Sequence, residues 1–350
     1  MRLNELPRVR IACLPTPLQK LPHLTKVLDG TKIWVKRDDM TGLAFGGNKT
    51  RKLEYLIADA LNKGADSIVT GAGFHSNWCT QTTAAARKFG LKVSLVKSGP
   101  EEGYDGDGWD GNHLLHHLMG ADIRVVRPDR FKEAIEEAID ELKEEGHKPY
   151  YIPVGGSIPL GAAGYMNAVL ELYKQSVDYG FKIDHLVHGT GSGGTQAGLV
   201  MGSKAFSTGI NVVGASVGYT PKDEQIDKVM KIIEDSREEI EFDTPVTERD
   251  IRVFTDYVGG GYGHVTEGKI EAVKLLADKE GLMLDPVYTA TAMACLIDLS
   301  EKGYFKSDEN VVFLHTGGSV ALFPYKEPIK RYMQEDKITW SIPDWSPDME

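Results

Sequence analysis

Residues 185–206, HLVHGTGSGGTQAGLVMGSKAF, decide the fold class of this chain. The stretch opens with a short apolar run, passes through a glycine-rich loop from Gly189 to Gly194, and continues into a segment that can form a helix. A strand that leads into a helix in this way is the building unit of an α/β fold. The backbone N–H groups at such a helix start also form a cradle for an anion.

The same order of strand, turn and helix recurs on both sides of this stretch. Short β-branched runs, bounded by glycine or acidic turns, alternate with longer segments of helical period. We therefore predict an α/β fold with mostly parallel sheets. The predicted strands begin at Lys32 (KIWVK), Ser67 (SIVTGAG), Lys92 (KVSLV), Asp122 (DIRVV), Tyr150 (YYIPV), His185 (HLVHG), Asn211 (NVVGAS) and Val311 (VVFLHTGG).

Length and composition limit the class of protein. A chain of 350 residues predicts two domains, or one large domain with an inserted lobe. Forty basic and 51 acidic residues give a net charge of −11 without a basic, aromatic-rich cluster, so we do not expect a nucleic-acid partner. The three cysteines are far apart, and no apolar run reaches the roughly 18 residues of a membrane span. We predict a cytoplasmic protein without a membrane partner.

The segment Gly46-Gly47-Asn48-Lys49-Thr50-Arg51-Lys52 places a lysine at the start of a predicted helix, LEYLIADAL. Unpaired backbone N–H groups and the helix dipole disfavour an ammonium ion there. A neutral amine is what imine formation with a carbonyl compound requires. The alternative is that Asn48 lies near the N-cap of the helix and that Lys49 is an ordinary solvated side chain.

The glycine loop at 189–194 also permits two interpretations. Gly189, Gly191 and Gly194 match the GxGxxG pattern of dinucleotide sites, but the expected acidic residue about 20 positions later is missing from GASVGYTP. No GK[ST] follows, which argues against a nucleoside-triphosphate loop. The hydroxyls of Thr190, Ser192 and Thr195 suit a terminal phosphate monoester instead.

Two further strand ends are rich in glycine and polar residues: Gly71–Asn77 (GAGFHSN) and His315–Gly318 (HTGG). Ser76 and Asn77 could be plain N-cap residues of the next helix. However, open α/β sheets bind ligands at the carboxyl ends of their strands. Four glycine-rich segments at such positions together predict a ligand cleft.

In order along the chain, these segments resemble the pyridoxal 5′-phosphate (PLP) enzymes of the tryptophan-synthase-β fold, fold type II. Within that fold, the chain is similar to the family of D-cysteine desulfhydrases and 1-aminocyclopropane-1-carboxylate (ACC) deaminases. The likeness covers most of the chain. It is carried by LPTPLQKLPHL (14–24), IWVKRDD (33–39), GGNKTRKLE (46–54), the SN turn (76–77), VGGSIPLGAAGY (154–165), GTGSGGTQAGL (189–199), YGHVTEG (262–268), EGLMLDPVY (280–288) and HTGG (315–318).

The resemblance implies roles for individual residues. Lys49 would form the Schiff base with PLP and later move the α or β proton of the substrate. Ser76 would contact the substrate carboxylate, and Asn77 would hydrogen-bond the ring hydroxyl of the cofactor. Tyr262 and Tyr288 would be the two active-site tyrosines, which donate protons or orient the substrate. The phosphate would be held by Gly191, Ser192, Gly193, Gly194 and Thr195.

Thr289 is an informative departure within this family. ACC deaminases have a glutamate directly after the tyrosine that matches Tyr288, whereas desulfhydrases have a threonine. A hydroxyl from Thr289 or Thr316 offers the pyridine nitrogen a neutral hydrogen bond and makes the ring a weaker electron sink than a carboxylate would. Such a sink suits a substrate whose Cβ already carries a good leaving group, which favours β-elimination over ring opening.

The segment His75-Ser76-Asn77-Trp78-Cys79 departs from the family's usual QSN followed by His or Gln. A histidine could help to hold a second anion such as a sulfonate, so L-cysteate sulfo-lyase stays open beside D-cysteine desulfhydrase. His113, His116 and His117 have helical spacing, but no carboxylate or cysteine joins them at ligand spacing. We therefore predict no metal site.

These observations predict two lobes, each an open, mostly parallel twisted sheet flanked by helices. The resemblance implies a large PLP-binding domain from residues 1–54 and 166–350, a small inserted domain from 55–165, and a homodimer. The predicted activity is α,β-elimination of a sulfur leaving group from a small β-substituted amino acid, which gives pyruvate and ammonia. The alternatives are L-cysteate sulfo-lyase, ACC deaminase, an NAD-dependent oxidoreductase, and a PLP-binding protein without turnover.

Overall fold

The computed structural model describes residues 3–29, 31–99 and 109–335. The strands in this part of the chain form two sheets. They are β1 (Leu18–Lys20), β2 (Lys32–Lys36), β3 (Ser67–Gly73), β4 (Lys92–Ser98), β5 (Asp122–Val126), β6 (Pro149–Tyr151), β7 (His185–Thr190), β8 (Asn211–Ser216), β9 (Arg252–Phe254) and β10 (Asn310–Leu314).

Helices follow most of the strands, and several have the end signals that sequence chemistry favours. Ser76 caps the helix after β3 by accepting a hydrogen bond from the Cys79 N–H. The helices are α1 (Pro22–Val27), α2 (Lys49–Asn62), α3 (Asn77–Lys88), α4 (Gly111–Leu118), α5 (Phe131–Glu144), α6 (Pro159–Asp178), α7 (Gly194–Ala205), α8 (Lys222–Glu239), α9 (Glu267–Glu280), α10 (Thr289–Glu301) and α11 (Lys326–Glu335).

The large sheet has six strands in the order β1-β2-β10-β7-β8-β9. β1 is antiparallel to β2, and the other neighbouring pairs are parallel. Its strands are apolar on both faces because helices cover both sides. Trp34, Leu186 and Val312 belong to the hydrophobic core shared with α6, α7 and α8. Alternate residues such as Val35 and Val187 belong to the core shared with α1, α9 and α10.

The small sheet has four parallel strands in the order β5-β4-β3-β6. Ile68, Val93 and Leu95 pack with residues of α2 and α3 on one face. Val69 and Val96 pack against α5 on the other. Both sheets are therefore flanked by helices on both faces, as open α/β sheets usually are.

The α/β fold predicted from the sequence is confirmed. All the predicted strands exist, although the strand predicted from Tyr150 begins at Pro149 and already ends at Tyr151. The sequence did not reveal β1 and β9, which have three residues each and lie at the edges of the large sheet. The small sheet is formed by chain between Ser67 and Tyr151, while the domain boundaries at 55 and 165 stay predictions. Among the described residues, no helix has the length and apolar character needed to cross a bilayer.

Candidate active site

A cavity of about 790 Å³ is lined by residues from both sheets. Its walls are the segments that follow the carboxyl ends of β3, β4, β7, β8 and β10, which is where α/β sheets place ligands. The glycine-rich segments that were predicted to form a cleft therefore meet at one place. The sequence-predicted residues that line the cavity are Lys49, Ser76, Asn77, Gly191, Ser192, Gly193, Thr195, Tyr262, Tyr288 and Thr316.

Gly46 and Gly47 bring the chain to the cavity through a crowded turn. Their φ angles are 76° and 138°, which side-chain-bearing residues rarely adopt. A Cβ on Gly46 would lie 1.8 Å from the carbonyl oxygen of Asp39, and one on Gly47 would lie 2.1 Å from Nε2 of Gln81. Gly47 also forms an antiparallel bridge with Gly317. The turn therefore fixes the start of α2 beside the end of β10.

Lys49 is the first residue of α2 and reaches into the cavity. Within the described part of the chain, its ammonium group has no hydrogen-bond partner, and burial lowers its pKa to about 8. An amine with this pKa is neutral far more often at neutral pH than an ordinary lysine, so it is suited to attack a carbonyl carbon. The structure thus does not support the alternative of a solvated lysine.

Arg51, two residues further along α2, anchors this helix in the protein interior. Its guanidinium donates to Asp38 at 2.8 Å and to Glu171 of α6 at 2.9 Å. Tyr165 donates to Asp38 at 2.7 Å, and Lys36 lies 2.5 Å from Glu171. The Arg51 side chain holds the pKa of Asp38 below its usual value despite the burial of that carboxyl. This buried ion cluster therefore anchors the first turn of α2, which also carries Lys49.

The loop between β7 and α7 provides a site for an anion. Gly193 has a φ of 85° and is the N-cap of α7, so the first backbone N–H groups of the helix are presented at the loop. Gly191, Ser192, Gly193 and Thr195 line the cavity. Gly194 is not among the lining residues, and its N–H donates to Ser157 Oγ at 3.2 Å. Four of the five predicted phosphate-site residues therefore face the cavity.

Lys52 lies behind this loop and was missed by the sequence analysis. Its side chain is fully buried, and Nζ donates to the Gly155 carbonyl at 3.1 Å. A Cβ on Gly194 would come within 2.9 Å of this Nζ, which shows how close the ammonium lies to the loop. Burial and the neighbouring charge of Lys49 hold the pKa of Lys52 well below its ordinary value. A bound anion at the loop would offset both effects.

Ser76 and Asn77 form the cavity wall at the start of α3. The hydroxyl of Ser76 accepts from the Cys79 N–H at 3.4 Å, so this residue is an N-cap and a lining residue at once. The side-chain amide of Asn77 makes no hydrogen bond within the described residues, and it lies close to Gly47. Both side chains are available to a ligand, together with the dipole of the α3 N-terminus.

Tyr262 and Tyr288 meet at the cavity, as expected from the sequence. The Tyr288 hydroxyl donates to that of Tyr262 at 3.2 Å. Burial raises the pKa of Tyr288 to about 12, so its phenol keeps its proton at neutral pH. Lys269 holds the loop that carries Tyr262, because its Nζ donates to the carbonyls of Val258 and His264 at 2.8 Å each.

The structure places Thr289 in a helix cap. Its hydroxyl donates to Asp285 Oδ1 at 2.7 Å, and the residue is not among those that line the cavity. The Asp285 carboxylate also accepts from the backbone N–H groups of Val287, Tyr288 and Thr289, so its oxygens are occupied by the start of α10. Thr316 does line the cavity, and its hydroxyl has no hydrogen-bond partner within the described residues. Contact between Thr289 or Thr316 and a pyridine nitrogen stays a prediction.

The three unusual residues around the SN turn have different surroundings. Trp78 is 3% exposed, donates from Nε1 to Thr70 at 2.9 Å and also borders the cavity. Cys79 is buried, and burial raises the pKa of its thiol to about 11, so it is not a thiolate at neutral pH. His75 lines the cavity beside Ser76. Among the described residues, no group of three His, Cys, Asp or Glu side chains could hold a metal ion.

Comparisons with known proteins show which family this chain resembles along its length. A family model described as pyridoxal-phosphate dependent enzyme matches residues 9–317. The chain is 40% identical over 325 residues to the D-cysteine desulfhydrase of Klebsiella pneumoniae. This alignment covers 92% of this chain and 97% of that protein. It is 38% identical over 336 residues to the ACC deaminase of Burkholderia vietnamiensis, and this alignment covers 93% of this chain and 98% of the deaminase.

A solved structure of an ACC deaminase homologue is also similar, with a TM-score of 0.85 and 38% sequence identity. The superposition covers 94% of this chain and 97% of the other. A pyridoxal 5′-phosphate-dependent aspartate racemase superposes with a TM-score of 0.62 at 16% identity, which shows a shared fold. The likeness therefore extends over nearly the whole chain.

Proposed function

This chain belongs to the pyridoxal-phosphate dependent enzymes, in the group that contains D-cysteine desulfhydrases and ACC deaminases, and from that premise we propose that it catalyses β-elimination. The substrate is a small amino acid that carries a sulfur leaving group on Cβ, and the products include pyruvate and ammonia. The observation that carries the proposal is the meeting of Lys49, the glycine loop and Tyr288 in one cavity.

The residues of the cavity fit PLP. The amine of Lys49, which has no hydrogen-bond partner among the described residues, can bond covalently to the aldehyde carbon of PLP, and the loop from Gly191 to Thr195 can take its phosphate. The buried Nζ of Lys52 lies behind that loop, and the side-chain amide of Asn77 has no partner in the described part of the chain. PLP, when bound, supplies an electron-withdrawing ring that stabilises negative charge at the substrate Cα.

The side chains around this position have the chemistry that elimination requires. The α-carboxylate of the substrate binds at the start of α3, where Ser76 and the helix dipole favour an anion. Lys49 takes the proton from Cα, since burial lowers its pKa to about 8 and its amine becomes neutral more readily than that of an ordinary lysine. The electron pair left at Cα forms the Cα–Cβ double bond and expels the sulfur group. Tyr288 keeps its proton at neutral pH and donates it or orients the substrate.

Elimination needs less electron withdrawal than opening a cyclopropane ring, because the leaving group takes the electron pair at once. The identity of residue 289 supports this assignment, because desulfhydrases have a threonine at this position and ACC deaminases a glutamate, whose carboxylate would keep the pyridine nitrogen protonated and make the ring more electron-withdrawing. After release, 2-aminoacrylate takes up water and gives pyruvate and ammonia. One substrate molecule and one water thus give pyruvate, ammonia and the reduced sulfur product.

The decisive experiment is a product assay on a panel of amino acids with the holoenzyme. We expect pyruvate from D-cysteine or another β-substituted amino acid and little 2-oxobutyrate from ACC. Release of 2-oxobutyrate from ACC without pyruvate from any β-substituted amino acid would reverse the assignment. Borohydride reduction followed by peptide mapping should show the cofactor attached to Lys49. A nicotinamide-dependent activity, without cofactor trapped on Lys49, would support the dinucleotide alternative.

A further inference from the structure

Gln225 is a buried polar residue of the cavity that the proposed elimination does not use. It is the fourth residue of α8, is 1% exposed and lines the cavity. Its Nε2 donates to Oγ1 of Thr190 at 3.3 Å, while its buried Oε1 has no hydrogen-bond partner among the described residues. An amide that leaves its oxygen unpaired in the interior contributes little to stability, because that oxygen has lost its hydrogen bonds to water. Stability of the fold therefore does not account for this side chain, whereas a role in ligand binding does.

Helix α8 is packed directly against the glycine loop. A Cβ on Gly193 would lie 3.4 Å from the side chains of Val229 and Ile232, which follow Gln225 along the helix. Both side chains are buried in the core that α8 shares with α6 and α7. Gln225 precedes Val229 by one turn, so these two side chains lie on the same face of α8. The packing of the helix in the core therefore fixes Gln225 next to the loop.

Thr190, the partner of Gln225, is the last residue of β7 and lines the cavity with only 2% of its surface exposed. A hydroxyl group has one proton to donate and two lone pairs with which to accept. Because an N–H group of Gln225 occupies one lone pair, the O–H bond of Thr190 points away from Gln225. Within the described part of the chain, this proton has no acceptor. The Thr190 hydroxyl can therefore donate its proton to a ligand in the cavity.

An anion bound at the glycine loop is the acceptor that fits this proton. Thr190 directly precedes Gly191, so its hydroxyl lies at the edge of the cradle that the first N–H groups of α7 form. A phosphate group has three strong acceptor oxygens and can accept from the hydroxyl and from the backbone at once. Asp285 is the one carboxylate among the described lining residues, and its oxygens already accept from the start of α10. It therefore does not compete for the Thr190 proton.

We infer that Gln225 is a positioning residue for the cofactor phosphate, which it holds by turning the hydroxyl proton of Thr190 toward the loop from Gly191 to Thr195. Gln225 acts through Thr190 and does not itself contact the phosphate. This inference rests on the part of the proposed function that assigns the loop to the phosphate of PLP, and it does not depend on which amino acid reacts. One further fixed donor restricts the cofactor to fewer orientations in the cavity, which favours the one that presents its aldehyde carbon to Lys49.

The test compares PLP with pyridoxal, which lacks the phosphate. The full chain is loaded with either compound, and equilibrium dialysis gives the ratio of the two dissociation constants, which we call the phosphate preference. Gln225→Met keeps the volume of the side chain without its hydrogen bond, so we expect it to weaken binding of PLP about fivefold and to leave binding of pyridoxal unchanged. Gln225→Glu should weaken binding of PLP further, because a carboxylate only accepts and would take the Thr190 proton away from the phosphate. An unchanged phosphate preference in Gln225→Met would overturn the inference, as would equal losses for the two compounds.

A double-mutant cycle shows whether Gln225 acts through Thr190. Thr190→Val should lower the phosphate preference about tenfold, and adding Gln225→Met to it should change the preference by less than about twofold, since the hydroxyl to be positioned is gone. If Gln225→Met costs as much in the Thr190→Val protein as in the wild type, Gln225 acts on the phosphate by another route and the positioning role is wrong.

Ser236→Ala is the matched control, because it removes a buried hydrogen bond from α8 about 16 Å further along the helix. It should leave the phosphate preference unchanged. The ³¹P NMR resonance of the bound cofactor is a second readout on the holoenzyme, and it should move in Gln225→Met and stay in place in Ser236→Ala. A resonance that Gln225→Met does not move would count against the inference.

The inference and the proposed function can fail separately. If the wild type binds PLP no more tightly than pyridoxal, the assignment of the loop to the phosphate is wrong and the inference fails with it. If the wild type prefers PLP and Gln225→Met keeps that preference, the phosphate site stands and the role of Gln225 is wrong. If Gln225→Met loses the preference but no β-substituted amino acid yields pyruvate, the role of Gln225 stands and the elimination activity is wrong.

Discussion

Titration of Lys49 in the cofactor-free protein tests the central feature of the site. Its pKa of about 8, against an ordinary value of 10.5, follows from burial beside the cavity. At pH 7 a lysine with this pKa is neutral in about one molecule in ten, whereas an ordinary lysine is neutral in about 0.03%, a difference of roughly 300-fold. Only the neutral amine is nucleophilic.

The assay is trace acetylation of the protein with an isotopically labelled reagent across a pH series, with the modified site located by tandem mass spectrometry. We expect the reactivity of Lys49 to rise with a midpoint near pH 8. The same residue in the urea-denatured chain is the control and should titrate near its ordinary pKa of 10.5. Midpoints within about half a unit of each other in the folded and denatured chains would show that burial does not activate this lysine.

The sign of the stability effect follows from the same shift. Between pH 8 and 10.5 the unfolded chain keeps the Lys49 proton while the folded protein has lost it. The unfolded state therefore binds more protons in this window, and the Lys49 contribution to the free energy of unfolding rises with pH. Below pH 8 the full cost of the buried charge is present in the folded cofactor-free protein.

Three further substitutions have definite expected outcomes. Gly47→Ala places a Cβ 2.1 Å from Gln81 Nε2 at a φ of 138°. Retention of the cofactor in equilibrium dialysis should therefore fall by about tenfold or more. Unchanged retention would show that the turn is not as crowded as the structure indicates. Arg51→Met leaves Asp38 buried without its partner and should lower the free energy of unfolding, measured in urea, by about 3–5 kcal/mol. A decrease in this free energy of less than about 1 kcal/mol would show that the ion cluster is not important for stability. Lys52→Met should weaken binding of PLP by about tenfold while leaving binding of pyridoxal, which has no phosphate, unchanged. Equal losses for the two compounds would show that Lys52 does not act on the phosphate.

The sequence predicted the fold well because the central strands of both sheets are buried on both faces. Such strands appear as short apolar, β-branched runs, as in KVSLV of β4 and NVVGAS of β8. β1 (LQK) and β9 (RVF) have no such pattern, because three-residue edge strands gain most of their order from pairing with a neighbour. Long-range pairing of this kind leaves little trace in local sequence.

The site could be predicted where its backbone conformation requires glycine, because glycines are visible in the sequence. Glycines at strand ends marked the walls of the cavity, and Lys49 lies among them. Lys52 was missed because nothing in a local sequence distinguishes a buried lysine from a solvated one. For Thr289 the resemblance implied a contact with the cofactor, which stays a prediction, and the sequence did not reveal that its hydroxyl donates to Asp285 at the start of α10. Three-dimensional packing decides which of several possible hydrogen-bond partners an Asp or Thr side chain has.

The first turn of α2 gives three nearly consecutive basic residues three separate surroundings. Lys49 reaches the cavity, Arg51 the buried ion cluster and Lys52 the back of the glycine loop. Successive residues of a helix are rotated by about 100°, so an insertion or deletion between Lys49 and Lys52 would turn at least one of these side chains away from its partner. Changes of length in this short segment should therefore be poorly tolerated, and a laboratory search for new specificities should keep its residue count fixed.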